Sequence, residues 1–248
     1  RITINGLERT DTDIAEHLLG LQPGDVLEQD RLRHGLDRLR GIVGLYRLST
    51  ELQGAGRQPE EVALVVDAEE APSRFVEAHL GYGSYEELRG GLRYRDTNLF
   101  GRGRGWDAGV EASMRSHELN VGFTDPVILG EHRTLNVDAG YGFREERSFD
   151  RTRLFIQPAV SWQLDREHQL RFSYLVENQR PDNIQPDAEV GAVDERIVIG
   201  RFDATWTWDA RDETWLPQRG HLLEVGFGIA DGSIGSELDY IEPRLLAG

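Results

Sequence analysis

Two hydrophobic periodicities run along this chain, and they divide it near residue 72. Before that point, apolar positions switch between strand and helix spacing. "RITINGL" places Ile2 and Ile4 on one face of a strand. "RTDTDIAEHLLGL" reads as a short helix, with Thr10 and Asp11 as candidate N-caps and Gly20 as its stop. Between Asp30 and Tyr46, Leu32, Leu36, Leu39 and Val43 recur at three- and four-residue steps and predict an amphipathic helix. Two strands follow, "LYRLSTEL" and "EEVALVVDA", separated by the turn "GAGRQPE". The order β-α-α-β-β describes a small α+β unit near the lower size limit for an independent core. "EEAP" ends it.

From Arg74 onward the pattern changes to period two, with no convincing helix. In "GRGRGWDAGVEASMR", Trp106, Ala108, Val110, Ala112 and Met114 alternate with Asp107, Gly109, Glu111 and Ser113. Such alternation puts an apolar and a charged set on opposite faces of one strand. The same grammar predicts about ten strands to the end of the chain. A soluble sandwich and a membrane barrel share this periodicity. Two features favour the barrel. Counted by parity, the longest connection, "NQRPDNIQPDAEVGAVDE", falls on the side opposite the α+β unit, as the long outer loops of membrane barrels do. All five tryptophans, Trp106, Trp162, Trp206, Trp208 and Trp215, fall at the other rim, as an interfacial aromatic girdle would. The face of Trp106, Val110 and Met114 is then expected to meet lipid, and Asp107, Glu111 and Arg115 a wet lumen.

Composition changes this picture only by exclusion. Asp+Glu number 44 against 28 Lys+Arg, a formal net charge of -16, and every one of those cations is Arg. That balance argues against a nucleic-acid partner, since phosphate binding needs clustered cations. Mean hydropathy is -0.51 and no run of about 18 apolar residues is present to make a transmembrane helix, but a barrel would look the same, since its strands turn only alternate residues to lipid. There are no cysteines, so thiolate metal sites and thiol nucleophiles are excluded. No signal peptide opens the chain, which suits a cytoplasmic protein or a piece of a longer precursor. The "GRGRG" run precedes no helix and reads as a hairpin turn rather than a phosphate loop. The seven histidines show no metal-helix spacing, and no G-x-S-x-G elbow occurs. Arg89, Arg93 and Arg95 opposite Asp107 and Glu111 read as a wet cross-strand network. No enzyme, metal or cofactor is expected.

Several phrases, in order, resemble the outer-membrane assembly-factor superfamily of BamA- and TamA-like bacterial surface antigens. They are "INGLERT" (Ile4–Thr10), "LQPGDVL" (Leu21–Leu27) and "GIVGLYRLSTEL" (Gly41–Leu52) in the first part, then "GYGSYEE". In the second part they are "NLFGRGR" (Asn98–Arg104), "FTDP" (Phe123–Pro126) and "WDARDETWLPQRGHLLEVGF" (Trp208–Phe227), the last carrying Asp209, Arg211, Asp212, Pro217 and Gly220. The resemblance implies a POTRA domain over 1–72 and, over 73–248, the N-terminal part of a transmembrane β-barrel of roughly sixteen strands. The family's Arg-Gly-Phe loop motif and closing strand are absent, so the sequence reads as a fragment. The resemblance further implies a protein of the bacterial outer membrane with its N-terminal domain in the periplasm. Its partners would be unfolded outer-membrane clients, the lipid bilayer and periplasmic or inner-membrane accessory proteins, with no cofactor. Clients would add a strand to the POTRA edge at Tyr46, Arg47, Leu48, Ser49, Thr50, Glu51 and Leu52. The first barrel strand would be a lateral gate at Val76, Ala78, Leu80, Gly81 and Tyr82, weakened by its glycines. Three rivals predict different behaviour: a passive channel without a POTRA unit, a two-partner-secretion transporter dedicated to one client, and a soluble adhesive β-domain. An enzyme domain fused upstream is a fourth arrangement, on which these residues are silent.

Overall fold

A computed structural model describes residues 1–54, 62–130, 132–184, 196–212 and 217–248. The chain divides into two compact units, one of residues 1–75 with 95–106, the other of 76–94 with 107–248.

In the first unit the elements are β1 (Ile2–Asn5), α1 (Thr12–Leu19), α2 (Gln29–Val43), β2 (Leu45–Gln53) and β3 (Ala63–Glu70). They match the predicted order. The strands form a sheet in the order β1-β3-β2, with β1 parallel and β2 antiparallel to β3. Leu19, Leu21, Leu64 and Val66 form its buried core, and Ile2, Ile4, Leu27, Leu32, Leu36 and Leu48 pack against them. The helices touch backbone to backbone: a Cβ on Gly35 would lie 2.1 Å from the Leu19 carbonyl oxygen. Gly20, at φ 68°, closes α1 by donating to the carbonyls of Glu16 and His17. Arg31 and Arg38 cap the same helix end through the carbonyls of Gly20 and Leu18, at 2.8 and 3.1 Å.

One predicted cap is corrected. Asp11 occupies the N-cap of α1 without a side-chain hydrogen bond. Thr10 does not cap the helix, because its hydroxyl is engaged by Asn98 at 2.8 Å. The backbone N–H groups of Arg9 and Thr10 instead donate to the Glu70 carboxylate, each at 2.9 Å. The Glu70 side chain is only 4% exposed, and burial pushes its carboxyl up. The hydrogen bonds from Thr10 and Arg9 outweigh that and hold it below its ordinary value of 4.5. A carboxyl depressed by folding stabilises above its unfolded pKa, and that contribution is lost as pH falls through the folded pKa. Acidification from pH 7 through 4.5 and below is therefore expected to weaken protection of the Arg9 and Thr10 amides in hydrogen exchange. Glu70→Gln should start less protected and respond less to pH. Equal pH responses in the two proteins would contradict this account.

The ten strands of the second sheet are β4 (Arg74–Gly83), β5 (Glu87–Leu99), β6 (Arg104–Ser113), β7 (Ser116–Asp125), β8 (Arg133–Glu145), β9 (Asp150–Gln163), β10 (His168–Asp182), β11 (Ile197–Asp209), β12 (Leu222–Ala230) and β13 (Tyr240–Ala247). They follow one another in chain order from β4 to β13, so each strand pairs with its sequence neighbours. Among the described residues the sheet is open, with β4 and β13 at its ends. Two boundaries move. β10 continues to Asp182, beyond the end predicted for it, because β9 already starts at Asp150 and supplies partners as far as Asp150↔Asp182. Leu238, predicted in the last strand, lies just before it.

Register separates an apolar face of the sheet from a charged one. Val121 faces Ala139, Ala139 faces Ile156, and Ile156 faces Val176, an apolar row across four strands. Phe172, Ala204, Phe227 and Pro243 make a second row across β10 to β13. The other face is ionic. Arg201 binds Asp203 at 2.7 Å and Glu242 at 2.9 Å, Arg244 binds the same two acids, and Arg153 holds Glu177 at 2.7 Å.

Candidate functional site

The seven residues singled out on β2 lie on an edge. β3 is the central strand, so among the described residues β2 has one neighbour and offers its other side. β1 is the opposite edge, but at four residues against nine it offers a much shorter ladder. Tyr46 is 78% exposed and Leu52 45%. Arg47, Ser49, Thr50 and Glu51 are exposed as well. Leu48 differs, since its side chain packs on the core and only its main chain is available. A register irregularity between Leu45 and Arg47 marks where β2 leaves the buried start of the strand. The chemistry on offer is a run of main-chain donors and acceptors with mixed polar side chains, suited to an added strand.

The five residues singled out on β4 lie on an end strand of the ten-stranded sheet. Val76, Leu80 and Tyr82 are each more than two-thirds exposed, and Ala78 is exposed too. Gly81 removes a side chain next to Arg89 on β5.

Of the five tryptophans, Trp215 lies outside the described residues. Trp106 lies near the start of β6, Trp162 near the end of β9, and Trp206 and Trp208 near the end of β11. In this meander those positions share one rim of the sheet. Trp162 and Trp206 flank Leu170 in one cross-strand row. The structure adds polar members that hydropathy did not single out. The Arg133 guanidinium lies 4.9 Å from the Trp162 ring centroid, His168 stacks on Trp206 and Trp208, and His221 meets Trp208 edge-on at 4.2 Å. The Trp208 indole N–H donates to Glu167 at 3.0 Å. An apolar body with a polar tip is the arrangement that suits a membrane–water boundary.

The predicted ionic network is present in altered form. Arg93 reaches Asp107 at 3.9 Å, while Glu111 is approached by His79 at 3.6 Å and Arg89 pairs with Glu86. These groups are half exposed, and their pairing contributes little to stability. No group of three or more His, Asp or Glu side chains forms a metal-like cluster among the described residues.

The arrangement can be set beside known proteins. The Omp85 superfamily domain matches residues 98–246. The chain belongs to the Omp85 superfamily. It is 21% identical over 98% of its length to the outer membrane protein assembly factor BamA of Nitratidesulfovibrio vulgaris, and covers 31% of that protein. Its fold is similar to the crystal structure of BamA from Haemophilus ducreyi lacking POTRA domains 1–3 (TM-score 0.71, 14% identity, 97% of this chain and 49% of the other). It is also similar to CdiB from Acinetobacter baumannii (TM-score 0.58, 10% identity, 99% and 45%). The chain thus spans about a third of the curated relative and about half of these structures. Family and fold agree with the expected resemblance.

Proposed function

We propose that this chain is the client-handling part of an outer-membrane protein assembly factor. In this reading the first unit is a POTRA domain in the periplasm and the ten-stranded sheet is the first part of a lipid-embedded barrel. The observation that carries it is the pairing of two features in one superfamily member: a nine-residue edge strand, β2, open on one side, and a sheet with one apolar face that ends in an exposed strand, β4. An unfolded barrel client is a chain of extended segments with unsatisfied main-chain groups. It gains hydrogen bonds by adding to β2, and lipid provides no alternative partner for those groups once the client enters the bilayer. β4 then acts as the gate strand, with Gly81 and Gly83 lowering the cost of separating it from a partner. The work is strand exchange, with no catalytic group, nucleotide or cofactor. Accessory proteins of the periplasm or inner membrane are expected partners of the complete protein.

The test is in-cell photocrosslinking in the full-length protein, with the probe at Tyr46 or Glu51 on β2 and at Val76, Ala78 or Leu80 on β4. Crosslinks from both strands to many different unfolded outer-membrane proteins are the expected result. Crosslinks to one exported protein would instead support a dedicated two-partner-secretion-type transporter. Crosslinks only within the protein itself, while clients are being made, would support a passive channel and overturn the proposal.

A further inference from the structure

The β5–β6 turn belongs to the compact unit of the three-stranded sheet, and its hydrogen bonds show how it is held there. The turn runs through Asn98, Leu99, Phe100, Gly101, Arg102 and Gly103, with Gly101 at φ 72° and Gly103 at φ 66°. Both glycines are needed for contact as well as for conformation. A Cβ on Gly101 would lie 2.1 Å from the Arg9 carbonyl oxygen, and one on Gly103 would lie 2.6 Å from Ile42 Cγ2. The Asp11 N–H donates to the Gly101 carbonyl at 2.9 Å.

Asn98 joins the two sides. It is 7% exposed and uses every kind of polar group it has. Its Oδ1 accepts from the Gly103 N–H at 2.7 Å, its Nδ2 donates to Thr10 Oγ1 at 2.8 Å, and its own N–H donates to Asp96 Oδ1 at 3.0 Å. Thr10, itself buried, donates its backbone N–H onward to the Glu70 carboxylate at 2.9 Å. Glu70 ends β3 and stands opposite Leu45, the first residue of β2. Thr10 therefore ties the turn to the sheet, its hydroxyl accepting from Asn98 and its N–H donating to Glu70. Removal of the Asn98 amide takes away the partner of the buried Thr10 hydroxyl and of the Gly103 N–H. A second contact runs beside it, with the Thr97 N–H donating to the Ser73 carbonyl at 2.8 Å and Arg74 pairing with buried Asp96 at 3.1 Å.

We propose that Asn98 is a positioning residue that latches the β5–β6 turn to the three-stranded sheet, so that the turn and the β2 edge are carried as one body while a client is handled. This rests on the reading of β2 as the client edge. A side chain that served only to close its own turn would bond Gly103 alone. The bond to Thr10 distinguishes the two roles, because a turn closure needs no partner 88 positions away.

The test uses the full-length protein in detergent micelles, with amide hydrogen exchange read at Gly103 and Asp11. In Asn98→Ala both amides are expected to exchange about tenfold faster, since the Asp11–Gly101 bond opens when the turn is released. Faster exchange at Gly103 alone would overturn the latch. Thr10→Val and Thr10→Ser approach the same bond from the other side and serve if Asn98→Ala does not fold. Valine should accelerate both amides and serine should leave both protected, whereas valine with no effect at Gly103 overturns the proposal. The functional readout is client crosslinking at β2 against client insertion. Asn98→Ala should retain capture at β2 and lose about tenfold in insertion rate; loss of both together, or of neither, would contradict a positioning role. If the wild-type protein captures no client, the proposed function fails while the exchange result still decides the latch.

Discussion

Val121→Arg is expected to prevent the ten-stranded sheet from inserting into a bilayer, while Asn120→Arg, one residue away at the same depth, is expected to leave insertion intact. Val121 is the sixth of ten residues in β7, in the apolar row with Ala139, Ile156 and Val176. It is 43% exposed, and under the proposed function lipid covers the part that the sheet does not. A cation at the midplane on the lipid face costs about 2–4 kcal/mol, whereas a residue on the lumen side stays in water. Asn120 points to that other face, where Gly140 leaves room opposite it. The check is the folded fraction of full-length protein in lipid vesicles, read by heat-modifiable gel migration. Val121→Arg should fold more than tenfold less completely than Asn120→Arg. Equal folding of the two would mean that this face does not meet lipid.

Leu19→Ala is expected to strongly destabilise the α+β unit without disturbing the interior of the ten-stranded sheet. Leu19 is 0% exposed and sits in a small core with Leu21, Leu64 and Val66. Removing a buried leucine side chain costs about 3–5 kcal/mol when the site cannot collapse. Collapse is restricted here because α1 and α2 already meet through backbone at Gly35. A unit of this size has a total stability of only about 5–10 kcal/mol, so the change removes much of it. Amide exchange at Leu64 and Val66 should rise by two orders of magnitude or more, while that of Val137 and Phe172 stays as in the wild type. Leu19→Met, which keeps the volume, should cost less than about 1.5 kcal/mol. Unchanged exchange in Leu19→Ala would show that the core is sustained by other contacts.

The parts of the protein legible in the sequence are those that depend on short-range pattern. Leu32, Leu36, Leu39 and Val43 report one helix face because the helix repeat is 3.6 residues. Trp106 to Met114 report two strand faces because the strand repeat is two. Positive φ at Gly101 and Gly103 is implied by a glycine-rich hairpin with no helix after it. The edge position of β2 is not in the pattern. "LYRLSTEL" reads equally well as a central or an edge strand, and only the order β1-β3-β2 assigns it. The rim is similar: five tryptophans at one side can be counted from parity, but Arg133, His168 and His221 join them only through register.

Local pattern is enough to specify the two-unit grammar, the β-α-α-β-β order, the count of about ten strands and which set of side chains shares each face of a strand. Those follow from backbone repeat lengths acting over a few residues. Long-range packing assigns which strands are edges, how far β10 extends along β9, and what Thr10 does. Thr10 stands where a helix cap would stand, and local chemistry favours that role. A buried amide from Asn98 takes its hydroxyl instead, because a polar group enclosed far from water must be paired, and its partner is set by the folded chain rather than by its neighbours in sequence.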